Sequence, residues 1–234
     1  MIVKAVIFDL DGTIASFNLD YKAVRAEARS LLIRAGLPIS VLQADESIFE
    51  MLKKTEIFMK NSGKSNEAVG HLRDKVFSLA EKYELEAAKR TSLLPGASET
   101  LKTLRGMRLK IGLCTINSER STSYILKRFR LAHLIDAVVT REKVRFVKPN
   151  VEHLEATLEK MEVAVDQAIV VGDSAVDMRC AKELKMVAVG LPTGIVNWKD
   201  LVDAGANYLI TSLTDVPTLV KTLTQPERAK KTQV

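Results

Sequence analysis

In the second half of the chain, short runs rich in β-branched residues alternate with amphipathic segments of helical length, and this alternation restricts the fold more than any other feature. Strands of one direction joined by covering helices are buried on both faces, so they read as continuous apolar runs rather than as an alternating pattern. The expected strands are Leu109 to Cys114, Ala137 to Thr140, Ala168 to Val171, Met186 to Val189 and Tyr208 to Ile210, with the opening run Ile2 to Phe8 as a sixth. Between them, helices are expected from Ala97 to Gly106, Ser118 to Arg130, Val151 to Met161, Ala175 to Leu184 and Val216 to Leu223, with a further turn between Asn197 and Ala204. The connections are short, as such units require. The fold class is α/β, a doubly wound parallel sheet.

Between Phe17 and Arg90 the pattern changes. The β-rich runs vanish, and three stretches carry apolar residues at three- and four-residue spacing: Asp20 to Ala35, Asp45 to Asn61 and Ser65 to Arg90. Pro38 separates the first two, and Asn61-Ser62-Gly63 separates the second from the third. The organisation expected is an α/β core of residues 1–16 and 91–225, an inserted all-helical cap of 17–90 and a polar tail of 226–234 that frays. An insertion leaving at the carboxyl end of the first strand is expected to act as a lid, because open α/β sheets bind ligands at that edge.

At 234 residues the chain is long enough for a full core, and 47% hydrophobic with 27% charged residues is a globular composition. The opening apolar run is short, carries Lys4 and has no basic segment before it, so it is read as a strand rather than a signal peptide or a membrane span. The expectation is a cytoplasmic protein that does not engage a membrane. The net charge of +6 is spread among acidic residues and only 5% of residues are aromatic, which speaks against a nucleic-acid partner. Cys114 and Cys180 lack zinc-site spacing and are expected as buried, reduced thiols. His71, His133 and His153 are scattered and are expected at the surface or partly buried.

The chemistry is written at the strand ends. Asp9-Leu10-Asp11-Gly12-Thr13 follows the first apolar run, and two carboxylates so close together repel unless a cation, a proton or strong donors compensate. Gly172-Asp173-Ser174-Ala175-Val176-Asp177 repeats the plan of strand, turn and acidic pair. Thr115 ends another strand and Lys148-Pro149 precedes a helix, so a hydroxyl and an ammonium fall at the same edge. Singly, each has an ordinary reading as a cap, a turn or a solvated charge. Together they supply what metal-assisted phosphoryl transfer needs, namely oxygen ligands for magnesium and donors for phosphoryl oxygens.

In this order and spacing, the four segments resemble the motifs of the haloacid dehalogenase superfamily, and the helical insertion resembles its phosphoglycolate phosphatase-like branch. The resemblance implies a Rossmann-like haloacid dehalogenase fold with a helical cap and a Mg2+-dependent phosphatase acting on a small phosphorylated metabolite. It implies Asp9 as the nucleophile that becomes an aspartyl-phosphate and Asp11 as the general acid and base. Thr115 and Lys148 would hold phosphoryl oxygens. Asp9, Asp173 and Asp177 would serve the metal, with Asp11 reaching it through its backbone carbonyl. Two positions depart from the branch: Ile116 separates Thr115 from Asn117, which leaves Asn117 without a place at the phosphate, and Lys148-Pro149 continues as Asn150-Val151.

Asp11 argues against halide chemistry, which needs no acid for an alkoxide. A phosphomutase, a non-catalytic phosphometabolite-binding module and a receiver-type phosphoacceptor remain as alternatives. For substrate choice the candidate is Lys64, in the polar break after the second cap helix, meeting an anionic part of the substrate.

Overall fold

The computed structural model describes residues 1–16, 19–193 and 196–224. The expected polar tail at 226–234 lies outside them. The described residues form two compact units, one of 1–16, 91–193 and 196–224, the other of 19–90.

The first unit is built on six parallel strands, β1 (Ala5–Phe8), β2 (Lys110–Cys114), β3 (Ala137–Val139), β4 (Ala168–Gly172), β5 (Val187–Gly190) and β6 (Tyr208–Leu209), in the order β3-β2-β1-β4-β5-β6. The helices between them are α4 (Ala97–Gly106), α5 (Glu119–Arg128), α6 (Glu152–Met161), α7 (Ala175–Glu183) and α8 (Trp198–Ala204), and α9 (Val216–Thr224) follows the last strand. Every residue of β1 and β4 is buried, which is why both read as unbroken apolar runs. Ala5 and Ile7 share a core with Leu154, Leu158 and Met161 of α6 and Met178 and Ala181 of α7. Close packing of α6 on β2 depends on Gly112, where a Cβ would lie 2.9 Å from Thr157 and 3.0 Å from Met161.

Strand order reverses beside β1, whose neighbours are β2 on one side and β4 on the other. This is the switch point at which open α/β sheets leave a crevice at the carboxyl ends of their strands. Asp9 and Asp173 are the residues that follow β1 and β4. The Asp9 N–H donates to Val171 at 3.0 Å, so the ladder carries on through the first carboxylate. Where the insertion leaves and returns, the chain is closed by Ser16 N–H to Ser92 at 2.8 Å and Leu94 N–H to Ile14 at 2.9 Å.

The second unit consists of α1 (Tyr21–Arg34), α2 (Ile48–Asn61) and α3 (Asn66–Arg90). Val24, Ala28 and Leu32 of α1 and Leu72, Val76 and Ala80 of α3 recur every fourth residue and bury one stripe of each helix with Met51 of α2. The expected start of α2 at Asp45 moves to Ile48. Ser47 and Glu50 form a reciprocal capping box there, and that pair sets the start of the helix.

Candidate active site

Lys148 is the hub. Its side chain is 4% exposed, and the ammonium donates to Asp9 Oδ1 at 2.8 Å, to the Cys114 carbonyl at 2.9 Å and to Asp177 Oδ1 at 2.5 Å. Three protons meet three acceptors, so the charge is fixed in place. Burial alone would lower its pKa, but the facing Asp177 and Asp9 carboxylates outweigh burial and raise it well above the ordinary lysine value.

Asp177 is fully buried in the first turn of α7. One of its oxygens takes Lys148 and the other accepts from the Ser174 hydroxyl at 2.5 Å, while Ser174 caps the helix by accepting from the Asp177 N–H at 3.3 Å. Gly172 makes room: a Cβ there would stand 2.6 Å from the Asp177 carboxyl carbon.

Asp173 is buried, and its carboxylate accepts from Thr13 Oγ1 at 3.3 Å and Thr193 Oγ1 at 3.4 Å. Gly12 turns with φ of 75°, and a Cβ on it would sit 2.0 Å from Asp173 Oδ2, so glycine is needed both for the turn and for the approach. Burial, then the negative charges of Asp9 and Asp177, push Asp173 up to about 7. Asp9 is pushed up to about 6, again by burial first, with Lys148 pulling down and Asp177 pushing up.

Asp9, Asp173 and Asp177 each offer an oxygen within 4.8 Å of the others. Three carboxylates against one ammonium leave an excess of negative charge, and burial first, with the neighbouring carboxylates adding to it, keeps the Asp9 and Asp173 pKa values raised. An all-oxygen donor set of this kind fits a hard divalent cation.

Thr115 is buried at the end of β2; its N–H donates to Val139 at 3.0 Å and its hydroxyl accepts from the Asn117 N–H at 3.2 Å. Asp11 accepts a short hydrogen bond from the Asn117 side-chain amide. The structure therefore brings Asp9, Lys148, Asp173 and Asp177 into one cluster. Thr115 is tied to the cluster through the neighbouring Cys114 carbonyl and, through Asn117, to Asp11. Lys64 belongs to the other unit, exposed in the turn between α2 and α3 with its N–H donating to Met59 at 2.9 Å.

Four residues at this edge go beyond the expected set. Asn117, left without a role by the intervening Ile116, reaches Asp11 instead. His153 corrects its expected surface or partly buried position: it is 0% exposed, accepting from the Lys148 N–H at 3.3 Å through Nδ1, with Nε2 at 3.2 Å from the Val139 carbonyl. Its place four residues before Thr157 and eight before Met161, on the buried stripe of α6, was the available signal. Ser174 was legible as the cap three residues before Asp177. Arg141 is buried, and its guanidinium donates to the Ile116 carbonyl at 3.3 Å. Burial pushes both thiols, Cys114 and Cys180, up to about 12, which leaves neither as a nucleophile at neutral pH.

The haloacid dehalogenase-like hydrolase family model matches residues 6–191, which takes in Asp9, Thr115, Lys148 and Asp177. The chain belongs to that family. This haloacid dehalogenase-like hydrolase is 28% identical over 235 residues to the glyceraldehyde 3-phosphate phosphatase of Methanocaldococcus jannaschii, covering 94% of this chain and 98% of that one. It is 29% identical over 183 residues to a phosphoglycolate phosphatase of Cereibacter sphaeroides, covering 77% and 81% of the two chains. Among solved structures, a hydrolase from Pseudomonas syringae superposes with a TM-score of 0.64 at 24% identity, over 95% of this chain and 100% of that one, a likeness of fold. Among the described residues, no helix is long and apolar enough to cross a membrane.

Proposed function

We propose that this hydrolase is a cytoplasmic, Mg2+-dependent phosphatase that cleaves a small phosphorylated metabolite, a phosphoglycolate-like phosphomonoester, through an aspartyl-phosphate on Asp9. The observation that carries this reading is the Lys148 ammonium held between Asp9 and Asp177 beside a third buried carboxylate, Asp173, at the sheet's switch point. Its support from relatives is that two of them, covering most of this chain, are named as phosphatases of three-carbon and two-carbon phosphates.

An oxygen of Asp9 attacks phosphorus and the bond from phosphorus to the ester oxygen breaks. Asp11 gives its proton to the departing alkoxide. Asp11 then takes a proton from water, whose oxygen attacks phosphorus, and inorganic phosphate leaves with the Asp9 carboxylate restored. The Asn117 amide engages one Asp11 oxygen and so orients the carboxyl group. Thr115 and Lys148 face the charge on the transferring oxygens. Asp9 and Asp173, with Asp177 behind them and the Asp11 carbonyl, would hold magnesium, which supplies positive charge to the phosphoryl group and to the crowded carboxylates.

Choice among esters is assigned to the inserted helices, with Lys64 as the candidate contact for a substrate anion. Unchanged kinetics of Lys64→Ala across anionic phosphate esters would remove it. The reading as a whole is tested by phosphate release from a broad panel of phosphorylated metabolites, with and without magnesium. Magnesium-dependent release from small esters is expected, and no release from any would overturn it.

A further inference from the structure

We propose that His153 is a positioning residue for phosphoryl transfer, a buried imidazole that holds Lys148 in register with Thr115 through hydrogen bonds to two backbone groups. The proposal rests on the phosphatase reading for its kinetic consequence and on geometry for its substance.

The Lys148 N–H can only donate, so His153 Nδ1, 3.3 Å away, must accept. The ring proton then sits on Nε2 and donates to the Val139 carbonyl at 3.2 Å. That carbonyl also accepts the Thr115 N–H at 3.0 Å. One oxygen at the end of β3 thus receives the backbone of the threonine and, through a single ring, the backbone of the lysine. The His153 carbonyl adds to the tie, accepting from Thr157 Oγ1 at 2.9 Å and from Cys114 Sγ at 3.5 Å on β2.

Burial, with the Lys148 charge adding to it, lowers His153 to about 4, so the ring is neutral at physiological pH and can keep one acceptor and one donor. An aliphatic side chain would fill the space but leave the buried Lys148 N–H without an acceptor. The lysine ammonium must meet Asp9 and Asp177 at 2.8 and 2.5 Å at the end of a long stem whose origin the backbone sets. Displacements on the ångström scale at such a group change rates by about a hundredfold.

The test compares His153→Leu, His153→Asn and Leu158→Ala in the full chain with saturating magnesium and a small phosphomonoester. Leu158 is buried on the same helix in the hydrophobic core that also holds Ile7 and Met161, so its truncation reports lost packing. His153→Leu is expected to lower kcat about 10- to 100-fold with KM moving less than about threefold. His153→Asn, which keeps an acceptor for the Lys148 N–H, should recover to within about fivefold of wild type, and Leu158→Ala should lower Tm while keeping kcat within about twofold. A His153→Leu kcat within twofold of wild type, or an equal loss in Leu158→Ala, would overturn the proposal.

If His153→Leu does not fold, the Asn variant and the ring tautomer decide. A long-range 1H–15N spectrum of the intact protein at pH 7.5 should show the Nε2–H tautomer, and an Nδ1–H tautomer or an imidazolium would contradict the geometry. A wild type with no phosphatase activity would sink the functional reading, whereas the tautomer and a shifted Lys148 amide resonance in His153→Leu would still decide the positioning role.

Discussion

The two units close their buried polar groups in different ways. In the helical unit, buried Glu46 accepts from the Gln43 N–H at 2.9 Å and from Lys54 at 2.5 Å, and the buried Thr55 hydroxyl donates one turn back to Met51 at 2.7 Å. These partners lie three to eight residues apart in sequence. In the sheet unit, Lys148 meets Asp9 across 139 residues, Thr13 meets Asp173 across 160 and Asn117 meets Asp11 across 106. Local closure satisfies a helix and asks nothing of the rest of the chain. Convergence from distant segments at one edge of the sheet buries carboxylates beside one another, which folding alone would not favour, and the Asp9 and Asp173 pKa values are raised by that burial first and by their neighbours' charge second.

The sharpest way to break this contrast is Asp9→Asn. On the proposed reading it removes the nucleophile, so turnover should fall by about four orders of magnitude or more, while the melting temperature holds or rises because one of three crowded carboxylates becomes neutral. Residual activity near wild type would show the convergence to be structural. Asp11→Asn should cost about 10²- to 10⁴-fold with an alkyl phosphate and far less with a nitrophenyl ester, whose leaving group needs no proton. Equal losses with both would remove Asp11 as the acid.

Gly12 and Gly63 offer a matched pair, with φ of 75° and 72°. A methyl on Gly63 meets nothing within 4 Å, whereas one on Gly12 meets Asp173 Oδ2 at 2.0 Å. Gly63→Ala should therefore cost only backbone strain of about 1–2 kcal/mol. Gly12→Ala should cost about 3 kcal/mol or more and abolish turnover, as read by denaturant melts and phosphate release.

Magnesium and pH sharpen the contrast from another side. Asp9 and Asp173 hold their protons more tightly folded than unfolded, with values of about 6 and 7 against an ordinary 3.8. Their contribution to stability is thus full below the ordinary carboxylate value and is lost as pH rises through 6 to 7. His153, lowered to about 4, works the other way, contributing above its ordinary 6.5 and losing that as pH falls towards 4. Adding magnesium isolates the carboxylates, since the ion binds their ionised form. Its increase in Tm should be large at pH 8 and small at pH 5, and an equal increase at both would place the ion elsewhere. The smallest effect belongs to an exposed local pair: Lys60→Met, which breaks the pair with Glu56 one turn away, should cost at most about 1 kcal/mol in melting experiments, without changing kcat.

Much of this was legible because parallel strands leave unbroken apolar runs and their ends carry the acids. The runs before Asp9 and Asp173 marked the strands and, at their ends, the carboxylates that the fold brings together. The edges of elements moved where caps decided them, as Ser47 and Glu50 do for α2. What stayed hidden depended on contacts between distant segments. Ile116 interrupts the expected threonine and asparagine pair, yet the chain carries Asn117 to Asp11 rather than away from the site. His153 carries no motif, and only the fold shows that its ring lies between the Lys148 amide and the Val139 carbonyl.

The central claim is that Asp9 becomes covalently phosphorylated. Enzyme mixed with magnesium and a small phosphomonoester, quenched during turnover with borohydride and digested for peptide mass spectrometry, should show Asp9 reduced to homoserine only when both metal and substrate are present. Reduction at another carboxylate, or steady phosphate release with Asp9 unmodified, would contradict it.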